Sequence, residues 1–298
     1  MLTNLPDNTR AALFMMLSMA AFTFNDACMK ALSDELPLFQ AVFLRGLATS
    51  VFITIAAAAT GALQFSFPRR DWILVGVRAL AEVAAAYFFI SALFNMPIAN
   101  ATAILQALPL TVTLAGAVFL GEAVGWRRLS AILIGLCGVL MVIQPGAAGF
   151  NSYSIYAVLA VLAVTVRDLS ARKVSRAVPS ITVALIAAVA VTVAAGLASI
   201  SIDWVRPSTL GWAQLAGSSI FIIVAYVFSV MTMRIGDIAA VTPFRYTSLL
   251  WALVLGFFIF GEWPDTFTML GAAIIVGSGI FTLLRERGLG PRVGRAAS

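Results

Sequence analysis

The residues with most chemical capacity in this chain are charges placed where charge is costly. Asp237 to Glu262 reads DIAAVTPFRYTSLLWALVLGFFIFGE, with the length and apolarity of a membrane-spanning helix, yet it carries Arg245 just beyond Pro243. An arginine at that depth costs at least ~2.5 kcal/mol, so the protein must supply a partner for it. Other apolar stretches hold Asp26, Arg45, Asp168, and Arg78 with Glu82 four residues on. That last spacing puts both groups on one helix face. Such groups can form ion pairs, hydrogen-bond a bound solute, or carry protons on the carboxylates. They do not form a hydrolytic site: Asp26, Glu82 and Asp168 fall at three depths, and there is no histidine to serve as base. With only two cysteines besides, no zinc, haem or iron-sulfur site and no other cofactor is expected.

The elements that position these groups are membrane helices. The 298 residues are 61% hydrophobic and 11% charged, far from the soluble norm of about a quarter charged. Apolar runs of about 20 residues, enough to cross the bilayer as helix, recur ten times. β-barrel strands would instead be about 10 residues of alternating polarity. The first run begins at Ala11 and is followed by nine more, so it reads as a first span and not a signal sequence. The expected fold is therefore an all-α integral membrane protein of ten spans. The net charge of +6 sorts by loop, not into a nucleic-acid-binding face. With the N-terminus inside, Arg10, Arg69, Arg70, Arg127, Arg128, Arg172, Lys173, Arg176, Arg234 and the arginines from Arg285 to Arg295 are cytoplasmic. Lys30 and Arg206 fall outside, and four basic residues fall within spans. This bias expects both termini in the cytoplasm and no nucleic-acid partner.

Depth along each span then assigns roles. Asp26 lies a turn or two from the outer end of span 1, and Arg45 about 12 Å in along span 2. The two either pair, or Asp26 snorkels to water while Arg45 binds helix-end carbonyls. Glu82 falls near the midplane, as a functional carboxylate or as the intrahelical partner of Arg78. In span 4, Thr102, Gln106 and Thr113 share a face with Pro109, which should bend the helix and free a carbonyl. Cys28 and Cys137 read as unpaired apolar residues. Glycine-rich spans 5 and 10 suit close helix packing.

The chain also repeats. Ile98-Ala99-Asn100-Ala101-Thr102 parallels Ile238-Ala239-Ala240-Val241-Thr242, Gly121-Glu122 parallels Gly261-Glu262, and Ala86-Tyr87-x-Phe89 parallels Ala225-Tyr226-x-Phe228. The expected units are 1–143, a linker over 144–152, 153–284, and a basic tail over 285–298. Five spans per unit is an odd number, so the second unit enters the membrane inverted. Inverted repeats are a recurring device of secondary transporters that bind near the midplane between the halves. The lining is mostly Ala, Leu, Val and Phe, which argues against a channel with its polar ring.

The copies ending in Leu120-Gly121-Glu122 and Phe260-Gly261-Glu262, each followed by a glycine-rich helix, resemble the EamA-type repeats of the drug/metabolite transporter superfamily. The resemblance covers the chain from span 1 to span 10. Asn25-Asp26-x-x-x-Lys30, Phe43-Leu44-Arg45-Gly46 and Pro243-Phe244-Arg245-Tyr246 are similar to bacterial S-adenosylmethionine uptake carriers and alphaproteobacterial riboflavin transporters. The resemblance implies a multi-pass inner-membrane carrier, monomeric or homodimeric, that moves a small organic metabolite. The alternative is an exporter of amino acids or drug-like amphiphiles. We expect a cavity lined by spans 1, 3, 4, 6, 8 and 9. In it Arg78, Glu82, Thr102, Gln106 and Tyr246 would supply polar contact, and Tyr87, Tyr226 and Trp251 flat apolar contact. Asp26 with Arg45 would latch the outside, and Asp168 with Arg245 the inside.

Overall fold

The computed structural model describes residues 6–59, 61, 63–121, 125–146, 150–175, 177–235 and 241–288. Among them the chain is helical and contains no strand. The helices are α1 (Asp7–Ala31), α2 (Leu38–Ala59), α3 (Arg69–Asn95), α4 (Ile98–Leu105), α5 (Leu108–Leu120), α6 (Trp126–Ile143), α7 (Tyr153–Lys173), α8 (Ser180–Ala198), α9 (Thr209–Ile235), α10 (Thr247–Phe260) and α11 (Thr266–Gly288). Among the described residues eight segments are long and apolar enough to cross a membrane, and Leu129–Ile143 and Thr266–Thr282 are shorter apolar helices. Glu122, Asp237 to Ala240, Arg176, Arg292 and Arg295, which the sequence reading uses in its repeat and topology arguments, lie outside the described residues, as do parts of the linker and the basic tail.

The ends of these helices follow from their sequences. Pro6, Pro68, Pro97 and Pro179 immediately precede α1, α3, α4 and α8 in extended or polyproline-like backbone. A proline there is tolerated because the first amides of a helix have no carbonyl to bond within it. Gly121 and Gly261 end α5 and α10 with φ of 69° and 65°. That left-handed geometry is nearly free for glycine and costly for residues with a Cβ.

Span 4 is broken in the middle, and the described part of span 9 begins with a tighter turn, each beside a proline. Pro109 has no amide to give the carbonyl of Leu105 and its ring crowds that carbonyl, so α4 stops there and α5 starts afresh at Leu108. In span 9, Thr242–Tyr246 with Pro243 is a 3-10 turn leading into α10. Near these prolines hydroxyl groups add bonds to local carbonyls: Thr113 Oγ1 donates to Pro109 O (2.8 Å), Thr247 Oγ1 to Phe244 O (2.6 Å) and Ser248 Oγ to Arg245 O (3.0 Å). In lipid such internal bonding matters, because no water is there to take up orphaned groups.

Helix pairing is between halves. α1 packs mainly on α9, α3 on α7, α2 on α8 and α6 on α11, while α4 packs on both α7 and α10. Each of these pairs joins a helix from the first half of the chain to one from the second. Two apolar clusters fill the interior. One gathers Met29, Leu32, Leu93, Ile98 and Leu255, the other Ile104, Val142, Val161, Leu249 and Ile275. Large apolar side chains such as Leu80, Ile200 and Phe258 stay exposed on the perimeter, as suits a bilayer-facing surface.

The closest crossing is that of α6 on α11, where a Cβ on Gly138 would stand 2.8 Å from Gly271 O and one on Gly271 2.6 Å from Gly138 O. Gly277, on α11, faces open space. Gly271→Ala should therefore lower the unfolding midpoint in detergent, by about 1–3 kcal/mol of overpacking. Gly277→Ala should hold or raise it slightly, since alanine favours helix by about 1 kcal/mol. Equal midpoints for the two variants would contradict the crossing.

Candidate functional site

The charged groups converge halfway along the bundle, with a hub the sequence reading did not name. Arg167 on α7 donates through Nη1 to Glu82 Oε1 on α3 at 3.1 Å, and through Nε to Asp168 Oδ1 at 2.9 Å. Arg78 approaches Glu82 Oε2 only to 3.9 Å, and its Nη1 donates to Val183 O at 3.4 Å. The intrahelical Arg78–Glu82 pair thus exists but is the weaker claim on Glu82. The available clue to Arg167 is the one that picks out Arg245: a cation within an apolar span.

The other half presents a matching arrangement without the charge. Asn25 Nδ2 donates to Asp26 Oδ1 at 2.9 Å, as Arg167 does to Asp168. Asn25 Oδ1 accepts from Ser218 Oγ on α9 (2.7 Å) and from Arg45 Nη1 on α2 (3.4 Å). Asp26 and Arg45 do not meet as an ion pair; Asn25 stands between them and serves both. Asp168 likewise pairs with its neighbour Arg167 and not with Arg245. Among the described residues Arg245 has no ion-pair or hydrogen-bond partner for its guanidinium, although Asp168 lies within electrostatic reach.

Gln106, at the break in span 4, donates from Nε2 to Ser248 Oγ in the first turn of α10 (2.5 Å), so spans 4 and 9 meet through side chains. Thr23 Oγ1 on α1 reaches Ser248 O at 3.4 Å. Thr102 Oγ1 and Tyr246 Oη are buried without hydrogen-bond partners among the described residues. Tyr246 packs its hydroxyl against Gly279 and lines an apolar groove between spans 4, 9 and 10.

A cavity of about 570 Å³ lies among α2, α3, α8 and α9. Arg45, Arg78, Glu82 and Tyr226 line it at mid-length. Its apolar walls run through Phe52 and Ile53 to the bundle end where α2 and α9 finish and α8 begins with Ser180. This differs from the expected lining by spans 1, 3, 4, 6, 8 and 9: spans 3 and 8 contribute, and spans 2 and 7 replace the rest. Tyr226 is in place, with Phe22 edge-on at 5.6 Å. Tyr87 and Trp251 are not. Tyr87, 38% exposed, stacks on Phe39 outside the cavity, and Trp251, 37% exposed, leans on Phe24. Depth can be counted along a sequence, but the direction a ring faces depends on which helices surround it.

The opposite end of the bundle is laced across. Lys30, expected in an outer loop, is instead only 8% exposed within α1. Its ammonium reaches Glu262 Oε1 (3.1 Å), Met96 O (2.7 Å) and Leu93 O (3.3 Å), while Glu262 Oε2 accepts the amide of Ile98 at 3.1 Å. Spans 1, 3, 4 and 9 are so tied at one point. Gln40 exchanges two hydrogen bonds with Val205, Glu35 accepts from Ser208, and Asn151 donates to Asn95 O. A lysine one residue from a helix end reads as a loop charge until the helices around it are known.

The Arg167 hub has a measurable consequence. Arg167→Gln leaves Glu82 and Asp168 without their shortest partner and should cost about 3–5 kcal/mol of stability in detergent. Adding Glu82→Gln should recover a substantial part, because the stranded charge goes with it. Simply additive losses in the double-mutant cycle would show that the two side chains do not interact.

Comparison with known proteins accords with this architecture. A solved crystal structure, 20% identical, aligns over 95% of this chain and 99% of its own with a TM-score of 0.67, which speaks for the fold alone. An S-adenosylmethionine uptake transporter of Rickettsia conorii is 27% identical over 276 residues, spanning 91% of this chain and 92% of that protein. A riboflavin transporter of Vibrio cholerae is 26% identical over 203 residues and 68% of each chain, and a pseudopaline exporter of Pseudomonas aeruginosa is 27% identical over 87% of this chain and 91% of its own. The profile of the EamA-like transporter family matches residues 9–144 and again 151–284. With both halves matched and apolar helices throughout, the chain belongs to the EamA-like transporter family of the drug/metabolite transporter superfamily, as a multi-pass protein of the inner membrane.

Proposed function

We propose that this chain is a secondary carrier that takes up a vitamin- or nucleoside-type solute, S-adenosylmethionine or riboflavin, by alternating access. The observation that carries the reading is the contrast between the two ends of the bundle. A cavity walled by both halves reaches mid-length from one end, while the other end is bridged by Lys30, Glu262 and the neighbouring hydrogen bonds. A channel would be expected to pass through. In this reading the chain has ten spans as two inverted five-helix units, 1–143 and 153–284, joined by 144–152. Both termini and the basic tail are cytoplasmic, as the distribution of arginines favours, so the cavity faces the cytoplasm.

The gating residues follow from that orientation. Lys30 with Glu262 is the outer latch, holding spans 1, 3, 4 and 9 together. Asp26 and Arg45, joined through Asn25, stand beneath it. Asp168 with Arg245 remains the proposed inner latch. That the two are unpaired here accords with a cavity open on their side, and closure would exchange the Arg167–Asp168 contact for one with Arg245. Breaking one latch while making the other keeps the two states within a few kcal/mol, as a carrier requires. Gln106 and Ser248, between spans 4 and 9, provide the joint on which the halves rock.

Two measurements test this. Proteoliposomes loaded with unlabelled solute should take up labelled S-adenosylmethionine or riboflavin saturably and faster than empty ones; uptake that rises linearly with concentration and ignores preloading would indicate a pore. In a chain whose own cysteines are replaced, Lys30→Gln or Glu262→Gln should raise several-fold the labelling of a Met96→Cys thiol by an impermeant maleimide added outside. Unchanged labelling would remove that pair from the gate.

A further inference from the structure

The carrier reading leaves open what chemistry the cavity recognises, and the distribution of hydrogen-bond capacity around it is uneven. The acids are already engaged. Glu82 Oε1 and Asp168 Oδ1 are both held by Arg167, at 3.1 and 2.9 Å, and Asp26 Oδ1 accepts from Asn25 at 2.9 Å. The cavity-lining arginines are not. A guanidinium offers five N–H donors. Arg45 makes one hydrogen bond among the described residues, at 3.4 Å, and Arg78 has one at 3.4 Å and a salt bridge at 3.9 Å. Both stand on the cavity wall, from adjacent helices α2 and α3. Their remaining N–H groups open onto the cavity, where a carboxylate could take them up in charge-assisted hydrogen bonds.

The charge balance points the same way. At mid-length Arg45, Arg78, Arg167 and Arg245 face Asp26, Glu82 and Asp168, four cations against three carboxylates. A surplus of one positive charge at that depth is unfavourable until an anion joins it. A singly charged, planar carboxylate matches both the surplus and the fork of a guanidinium, whereas a phosphate dianion would overshoot it. The facing wall, Ile222, Ile223 and Tyr226 on α9 with Ala184 and Ala188 on α8, is apolar apart from the phenol. A volume of about 570 Å³ suits a small metabolite.

We propose that the cavity binds a carboxylate-bearing metabolite, with its carboxylate received between Arg45 and Arg78 and its apolar or aromatic body laid against α8 and α9. The proposal rests on the carrier reading for its biological sense, and it separates the solutes named among the relatives. S-adenosylmethionine carries an amino-acid carboxylate, together with an ammonium and a sulfonium that must lie away from the two arginines; riboflavin carries no carboxylate.

The test is thermal stabilisation of the purified chain in nanodiscs by S-adenosylmethionine, S-adenosylhomocysteine and methionine, each against its carboxamide, with riboflavin and adenosine monophosphate alongside. At least one free acid should stabilise, with its amide bound tenfold or more weakly. Arg45→Gln and Arg78→Gln should each erase the difference between acid and amide while keeping a monodisperse elution profile. Arg45→Lys, which keeps the charge, should retain part of it and stands in should the glutamine variant not fold. Acid and amide binding alike, no acid binding at all, or tighter binding of adenosine monophosphate or riboflavin than of every acid would each overturn the proposal. Counterflow in vesicles reads the carrier separately: acid-selective binding without flux would sink transport and leave the carboxylate site, and riboflavin flux without acid preference would do the reverse.

Discussion

A guanidinium far from water has to be met by something, and in this protein Arg167 is met by two carboxylates at once. One is its chain neighbour, Asp168; the other, Glu82, lies on α3, in the other half. Because a broken buried pair is far more costly than the intact pair is favourable, this contact fixes the rotation and depth of α7 against α3. That placement holds Glu82 on the cavity wall, which Arg78 and Tyr226 also line. Asn25 does related work between α1 and α9 with neutral hydrogen bonds, through Ser218. The two sides of the molecule are built alike and held with different strength.

Most of the architecture is written in local pattern. Apolar length gives the spans, Pro109 announces the break between α4 and α5, and four-residue spacing gives the Arg78–Glu82 contact, because each of these depends only on neighbours along one helix. The site was less legible. Asp26 and Arg45 are rightly placed near each other in depth, but depth says nothing of azimuth, and the side chain that intervenes, Asn25, is a single uncharged residue. Lys30 reads as a loop charge because its carbonyl partners, Leu93 and Met96, lie 63 and 66 positions away in the chain. Tyr87 and Trp251 have the right level and the wrong face. The cavity itself, between α2, α3, α8 and α9, arises where helices fail to touch, and no periodicity reports that.

Spans 4 and 9 differ from the long continuous helices. α1, α3 and α9 are continuous for 25, 27 and 27 residues and carry the ionic and amide cluster or its partners. Span 4 is interrupted at Pro109, and Thr113, Thr247 and Ser248 bond local carbonyls there and at the start of α10. Those bonds come from short side chains that can re-pair with small rotations. Long helices that carry most of the charged groups thus run beside an interrupted span 4 and a span 9 that carries Arg245 in its opening turn.

The pairing of the first span with the eighth, and of the third with the sixth, means that neither half encloses its own helices. Each five-helix unit lends its long helices to the other, in the manner of two subunits that have swapped arms and were afterwards joined by one strand of chain. A unit synthesised alone would present unsatisfied faces, with Asn25 lacking Ser218 in one case and Arg167 lacking Glu82 in the other, and those faces fit only the missing partner. Contacts between the halves, and not within either, thus hold the long helices in place.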